Sequence, residues 1–226
     1  MATPGDFMFL DHLIDQRLLQ GHVLELGSYN RQGGELGNAK VTIERRGLRW
    51  SGADLEPGPG VDFTLDVLDP DGVAEISERW DAVLVMNLLE HVYDPIRALE
   101  GALRLLAPGG SVVVVGPAVW ELHDFPADYW RPLPDFFLEF ARRNRCEVPR
   151  DGLKWIALDR LIDVNQLMRG RQKVLPSSHA ARSLWGSSKT LRSKVLHRAG
   201  RTFGRELFFP YIGLGACLVS QARTTG

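Results

Sequence analysis

Residues 80–116 read WDAVLVMNLLEHVYDPIRALEGALRLLAPGGSVVVVG, and this stretch decides the fold. Two apolar runs, AVLVM and SVVVV, are each too short for a helix and rich in β-branched residues, as buried strands are. Between them, Pro95 opens a segment whose Leu99, Leu103 and Leu106 recur at helical spacing, and Gly109-Gly110 closes it. Strand, helix, strand with about this spacing is a crossover unit, which places the two strands parallel. Continuous apolar strands of this kind suit a sheet covered on both faces.

The same pattern extends outward in both directions. HVLELG (22–27), LRWSGAD (48–54) and VDFTLD (61–66) are further short runs bounded by Gly, Pro and Asp. Residues 7–19 carry Phe7, Leu10, Leu13, Ile14 and Leu18 at helical spacing, predicting a helix within residues 1–20 ahead of the first strand. Beyond residue 150, KWIALDRLI reads as either a strand or a short helix, and GLGACLVSQA as a last strand. The expectation is an α/β, Rossmann-like doubly wound sheet. It would have seven strands, mostly parallel, with an antiparallel last strand, and residues 1–226 would form a single domain.

Composition narrows the class. Of 226 residues, 44% are hydrophobic and 24% charged, enough apolar material for a core without a metal or disulfide staple. Cys146 and Cys217 alone give neither a disulfide framework nor a cysteine zinc site, and no metal site is read from the sequence. Such cysteine usage fits a reducing, cytoplasmic compartment. The acidic, interrupted N-terminal stretch does not read as a secretion signal, and no run is long and apolar enough to span a membrane.

Charge is unevenly placed. Residues 1–163 hold 16 Lys/Arg against 27 Asp/Glu, whereas residues 164–205 hold 10 Lys/Arg and no acid. This reads as a basic insertion before the last strand. Its Leu184, Leu191, Val195, Ala199 and Phe203 recur at roughly helical spacing. Three readings stay open: a docked helix with a solvated basic face, a surface attracting an anionic acceptor, or peripheral membrane contact helped by Trp185 and Phe203. Nucleic acid is not expected, because no recognised binding module accompanies the charge. Oligomeric state is not readable.

In a doubly wound sheet, ligands bind at the carboxyl ends of the strands where strand order reverses. The first strand ends in Glu25-Leu26-Gly27-Ser28, where glycine admits close backbone approach. The second ends in Asp54-Leu55, a carboxylate placed to accept from a ribose diol. Asp66-Val67 ends the third, within reach of an adenine amino group. Asn87 and Leu88 follow the fourth. His91 and His123, the latter within HDFPADYWRPLP after the fifth strand, are candidate general bases, since histidine titrates nearest neutral pH. Tyr129, Trp130, Phe136, Phe137 and Phe140 read as core and lid packing.

ELGSYN, GADLEPGPGVD, LLEHVYDP and FPADYWR, in this order, resemble the signature of class I S-adenosylmethionine-dependent methyltransferases. The resemblance is greatest to a bacterial subgroup acting on small molecules and saccharides and covers roughly residues 20–145. It implies that Glu25 and Gly27 border the methionine part of the cofactor, that Ser28 is also among the cofactor-binding residues, and that Asp54 holds the ribose. It also implies that Asp66 and Val67 face adenine, while Asn87 and Leu88 line the pocket. The function implied is methyl transfer from S-adenosyl-L-methionine, to oxygen of a small molecule or carbohydrate in a biosynthetic pathway. A catalytically silent methyltransferase-like binding protein is one alternative. A nicotinamide-dependent oxidoreductase is another, but GSYNRQGG lacks its compact G-x-G-x-x-G.

Overall fold

The structure, a computed structural model, describes residues 2–31, 33–34, 37–123, 127–157, 160–164 and 212–221. All but Val164 of the basic 164–205 segment lies outside the described residues, so its three readings are untouched.

Helix α1 (Pro4–Asp15) starts where the sequence supplies a start signal. Thr3 accepts from the Asp6 amide (3.3 Å) and the Asp6 carboxylate accepts from the Thr3 amide (2.7 Å), a reciprocal capping box with Pro4 in the first turn. Phe9, Leu10 and Leu13 are wholly buried along its inner face. They pack where the antiparallel part of the sheet begins: a Cβ on Gly215 would overlap the Phe9 ring.

The sheet holds strands β1 (His22–Leu26), β2 (Arg49–Asp54), β3 (Phe63–Thr64), β4 (Trp80–Met86) and β5 (Leu106–Val119). It continues with β6 (Cys146–Glu147), β7 (Leu153–Ala157), β8 (Arg160–Asp163) and β9 (Ile212–Ser220). Their order is β3-β2-β1-β4-β5-β9-β7-β8, with β6 also beside β9. β1 pairs in parallel with β2 on one side and β4 on the other, and β4 with β5. β9 runs antiparallel to β5 and β7. The doubly wound, mostly parallel core with an antiparallel terminal strand matches the expectation.

The strand count does not. Nine strands are present among the described residues instead of seven, because KWIALDRLI is neither one strand nor a helix but the β7–β8 hairpin, and β6 adds a short rung on β9. Helices α2 (Lys40–Arg45), α3 (Pro70–Glu75), α4 (Pro95–Arg104) and α5 (Pro134–Arg143) connect the strands. Asp94 caps α4 by accepting from the Arg97 amide at 3.1 Å. Ala98, Leu99 and Ala102 bury one face of α4 against Val83, Val85 and Val112 of the sheet. A second cluster, built from α1 and the opposite face, includes Val23, Leu84, Val113 and Ile156. The sheet is thus buried on both faces, and its functional groups are left at the strand ends.

Candidate active site

The chain reverses direction of winding at β1, whose neighbours β2 and β4 lie on opposite sides, so a crevice opens at its carboxyl end. Gly27 leaves β1 with φ +74°, a left-handed conformation that glycine adopts without strain. A Cβ there would meet Leu88 Cδ1 at 3.1 Å, so the side chain following β4 presses on the bare backbone following β1. Gly27 and Ser28 both donate to the Ala53 carbonyl, at 2.9 and 3.2 Å. The Ser28 side chain is fully buried and its Oγ donates to the Gly60 carbonyl at 2.7 Å. Ser28 therefore pins the loop through its side chain and leaves none of it exposed.

Asp54 sits at the end of β2, where Oδ2 accepts from the Tyr29 amide at 3.0 Å. Each carboxylate oxygen accepts two hydrogen bonds, so capacity remains for a diol. Leu55 beside it is 67% exposed, an apolar face without internal cover. Asp66 lies two positions past β3 and is exposed, with Oδ1 accepting from the Leu68 amide at 2.8 Å. Val67 is half-buried next to it. Asn87 occupies the left-handed region with φ +48°, and its amide donates to the Val115 carbonyl at 2.8 Å. Its side-chain Nδ2 is buried and finds no hydrogen-bond partner. An orphaned buried donor costs free energy until a ligand accepts from it.

Glu25, expected at the cofactor, lies near the end of β1. It is 2% exposed, and its Oε2 accepts from both the Trp50 indole and the Ala39 amide at 2.8 Å. Burial pushes its pKa up to about 7 against the opposing pull of these two hydrogen bonds. The carboxylate ties β1 to β2 and to the start of α2, and so holds the glycine turn from behind. Nothing in its sequence neighbourhood signals this, since Trp50 belongs to another strand.

His91 closes a 3₁₀ turn (Leu89–His91) just past β4, and His123 follows β5. The fold brings the two together, with ring centroids 5.1 Å apart and edge to face. His91 Nδ1 lies 2.6 Å from the Ala127 carbonyl, which can only accept, so that nitrogen carries the proton. His123 Nδ1 faces two acceptors, Asp128 Oδ2 at 3.2 Å and the Glu121 carbonyl at 3.3 Å. The Asp128 side chain is itself covered and sits on an Arg131 fork, whose hydrogen bonds hold its carboxyl far below the usual range. Beside the pair, Glu90 is 2% exposed, and burial raises its pKa. The sequence places Glu90 with Asn87 and His91 just past β4 but assigns it no role. Trp130 and Phe136 stack edge to face at 4.7 Å over buried Phe137 and Phe140, as packing residues. Tyr129 is instead exposed, meeting Tyr93 edge to face at 5.8 Å.

A doubly wound sheet with a left-handed glycine after β1 and an acid after β2 is the arrangement of nucleotide-cofactor α/β proteins. The chain belongs to the methyltransferase domain family, whose model matches residues 8–166. It is similar to the ubiquinone biosynthesis O-methyltransferase of Xylella fastidiosa, 38% identical over 60 residues, 26% of this chain and 24% of that protein. It also resembles the enzyme of that name from Xanthomonas oryzae pv. oryzae, 35% identical over 79 residues, 33% of each chain. These matches span a quarter to a third of the length of those relatives. A methyltransferase structure from Archaeoglobus fulgidus shares the fold at TM-score 0.53 and 13% identity, over 95% of this chain and 92% of that one.

S-adenosylmethionine is the cofactor this family implies, and the residues present fit it. The crevice offers a carboxylate with free lone pairs, an uncovered apolar face, a backbone bared by glycine and the unpartnered Asn87 amide. Among the described residues no helix is long and apolar enough to cross a membrane.

Proposed function

We propose that the chain transfers a methyl group from S-adenosylmethionine to an oxygen of a small molecule or carbohydrate. The observation that carries this reading is the convergence, at one edge of the sheet, of the Gly27 turn, Asp54 and Asn87 with the His91–His123 pair. Asp54 would accept from the ribose hydroxyls, with Leu55 and Val67 against the adenine and Asp66 taking its amino group. Gly27 and Leu88 would border the methionine moiety, and Asn87 Nδ2 would find its missing acceptor there. Glu25 and Ser28 act one layer back, by holding this turn. The sulfonium supplies an already activated methyl group, so the protein's work is alignment and exclusion of water.

An oxygen acceptor must also lose a proton. His91 and His123, which meet edge to face past β4 and β5, are the candidates for that role, and a general base contributes on the order of 10²–10⁴-fold. The name O-methyltransferase borne by the relatives supports oxygen as the acceptor atom. The test is release of S-adenosylhomocysteine from S-adenosylmethionine in the presence of a panel of phenols, catechols and sugars. Turnover that depends on a hydroxylated acceptor is expected. Cofactor binding without turnover on any member would favour the silent binding protein instead.

A further inference from the structure

The loops that follow β1 and β2 are zipped together. Ser28 Oγ donates to the Gly60 carbonyl at 2.7 Å, and the Asn30 amide donates to the Pro59 carbonyl at 2.8 Å. Between these two bonds the Tyr29 ring lies against Gly58, where a Cβ would stand 2.3 Å from Tyr29 Cε2. Only glycine at position 58 lets the ring come this close to the backbone. Pro57 and Pro59 flank it, and their fixed φ leaves the loop few alternative shapes. Arg31 stands over the ring at 5.1 Å and pairs with Glu56 at 3.6 Å. Both members of that pair are exposed, so it contributes little. The ring seated on bare backbone is the stronger hold on Tyr29. The same residue reaches the acid after β2, because its amide donates to Asp54 Oδ2 at 3.0 Å. Asp54 Oδ1 has the Glu56 amide at 3.4 Å, a long contact. The terminal torsion of an aspartate is soft, so its carboxylate turns unless a donor holds it. The firmer of these two donors is the Tyr29 amide.

We infer that Tyr29 is a positioning residue for ribose recognition: its ring, seated on Gly58, fixes the amide that orients the Asp54 carboxylate. The inference rests on the cofactor reading above and adds to it a side chain that acts through Asp54. A carboxylate held by one amide keeps lone pairs on both oxygens for the ribose diol. Ordered in advance, it accepts from the hydroxyls without losing further freedom on binding. Removing the ring frees the amide, so the diol contacts weaken while contacts to the rest of the cofactor stay.

The experiment is calorimetric titration of the full chain, wild type and variants, with S-adenosylhomocysteine and with its 2′-deoxyribose analogue. The wild type should prefer the ribose form by at least about tenfold, the size of one hydrogen bond to a carboxylate. Tyr29→Ala and Gly58→Ala should each weaken S-adenosylhomocysteine binding by at least about fivefold and binding of the 2′-deoxy analogue by less than about twofold. Tyr29→Phe keeps the ring and should stay within about twofold of the wild type. Leu55, Glu56, Pro57 and Pro59 are exposed, so Gly58→Ala falls in a surface loop and keeps the test alive if Tyr29→Ala does not fold. Equal losses for the two ligands would mean a general loosening of the crevice and would overturn the inference. Unchanged affinity in both alanine variants, or a loss in Tyr29→Phe as large as in Tyr29→Ala, would overturn it as well. A wild type that binds neither ligand would instead refute the cofactor reading, and the inference with it.

Discussion

Replacing Glu25 by Gln should change how stability depends on pH, and the direction follows from the carboxyl's surroundings. Burial raises its pKa from 4.5 to about 7, so the folded state binds the proton more tightly than the unfolded chain. The neutral form's contribution is complete below pH 4.5 and is lost as the pH rises through about 7. A shift of this size corresponds to about 3 kcal/mol. Gln mimics the neutral acid: its Oε1 can take the place of Oε2 and keep the Trp50 and Ala39 donors satisfied. The assay is urea unfolding of both proteins at intervals from pH 4.5 to pH 8.5. Groups common to both cancel, so the variant should gain on the wild type by about 3 kcal/mol across that range, with most of the gain by pH 7 to 8. Parallel stability curves would refute the reasoning. They would mean that Glu25 is solvated, or that a nearby cation keeps it charged.

Three further substitutions probe the frame around the site. Gly27→Ala forces a Cβ onto a φ of +74° and against Leu88. It should cost about 1–2 kcal/mol in unfolding experiments and at least tenfold in S-adenosylhomocysteine affinity. Gly215→Ala drives a methyl group into the Phe9 ring and should lower stability by about 1–3 kcal/mol without altering cofactor affinity, as read by thermal melting and calorimetry. Arg131→Leu leaves the buried Asp128 carboxylate without its fork and should destabilise by about 3 kcal/mol at neutral pH, with the loss reduced in acid as the carboxylate protonates.

Much of this architecture is legible in the chain because parallel strands announce themselves. The runs at HVLEL, RWSGAD, AVLVM and SVVVV are bounded by Gly, Asp or Pro, and each became a strand. KWIALDRLI carries only Asp159 between its halves, with no Gly or Pro, so the β7–β8 hairpin could not be told from one strand or a helix. The site is legible only as far as strand ends predict it. Gly27, Asp54 and Asn87 could be placed because topology alone brings strand ends to one edge. Glu25 carries the same sequence signal, yet Trp50 and the start of α2 claim its carboxylate. The meeting of His91 with His123, and of both with Glu90, depends on how two loops fold over β4 and β5, which no local spacing encodes.

The central claim is that this crevice holds S-adenosylmethionine by way of Asp54. Calorimetric titration of the full chain with S-adenosylhomocysteine tests it most directly, with NADH as control and Asp54→Ala alongside. The account predicts micromolar binding of S-adenosylhomocysteine, none of NADH, and loss of affinity in a variant that still melts cooperatively. Undiminished affinity in a folded Asp54→Ala protein, or no binding by the wild type, would contradict it.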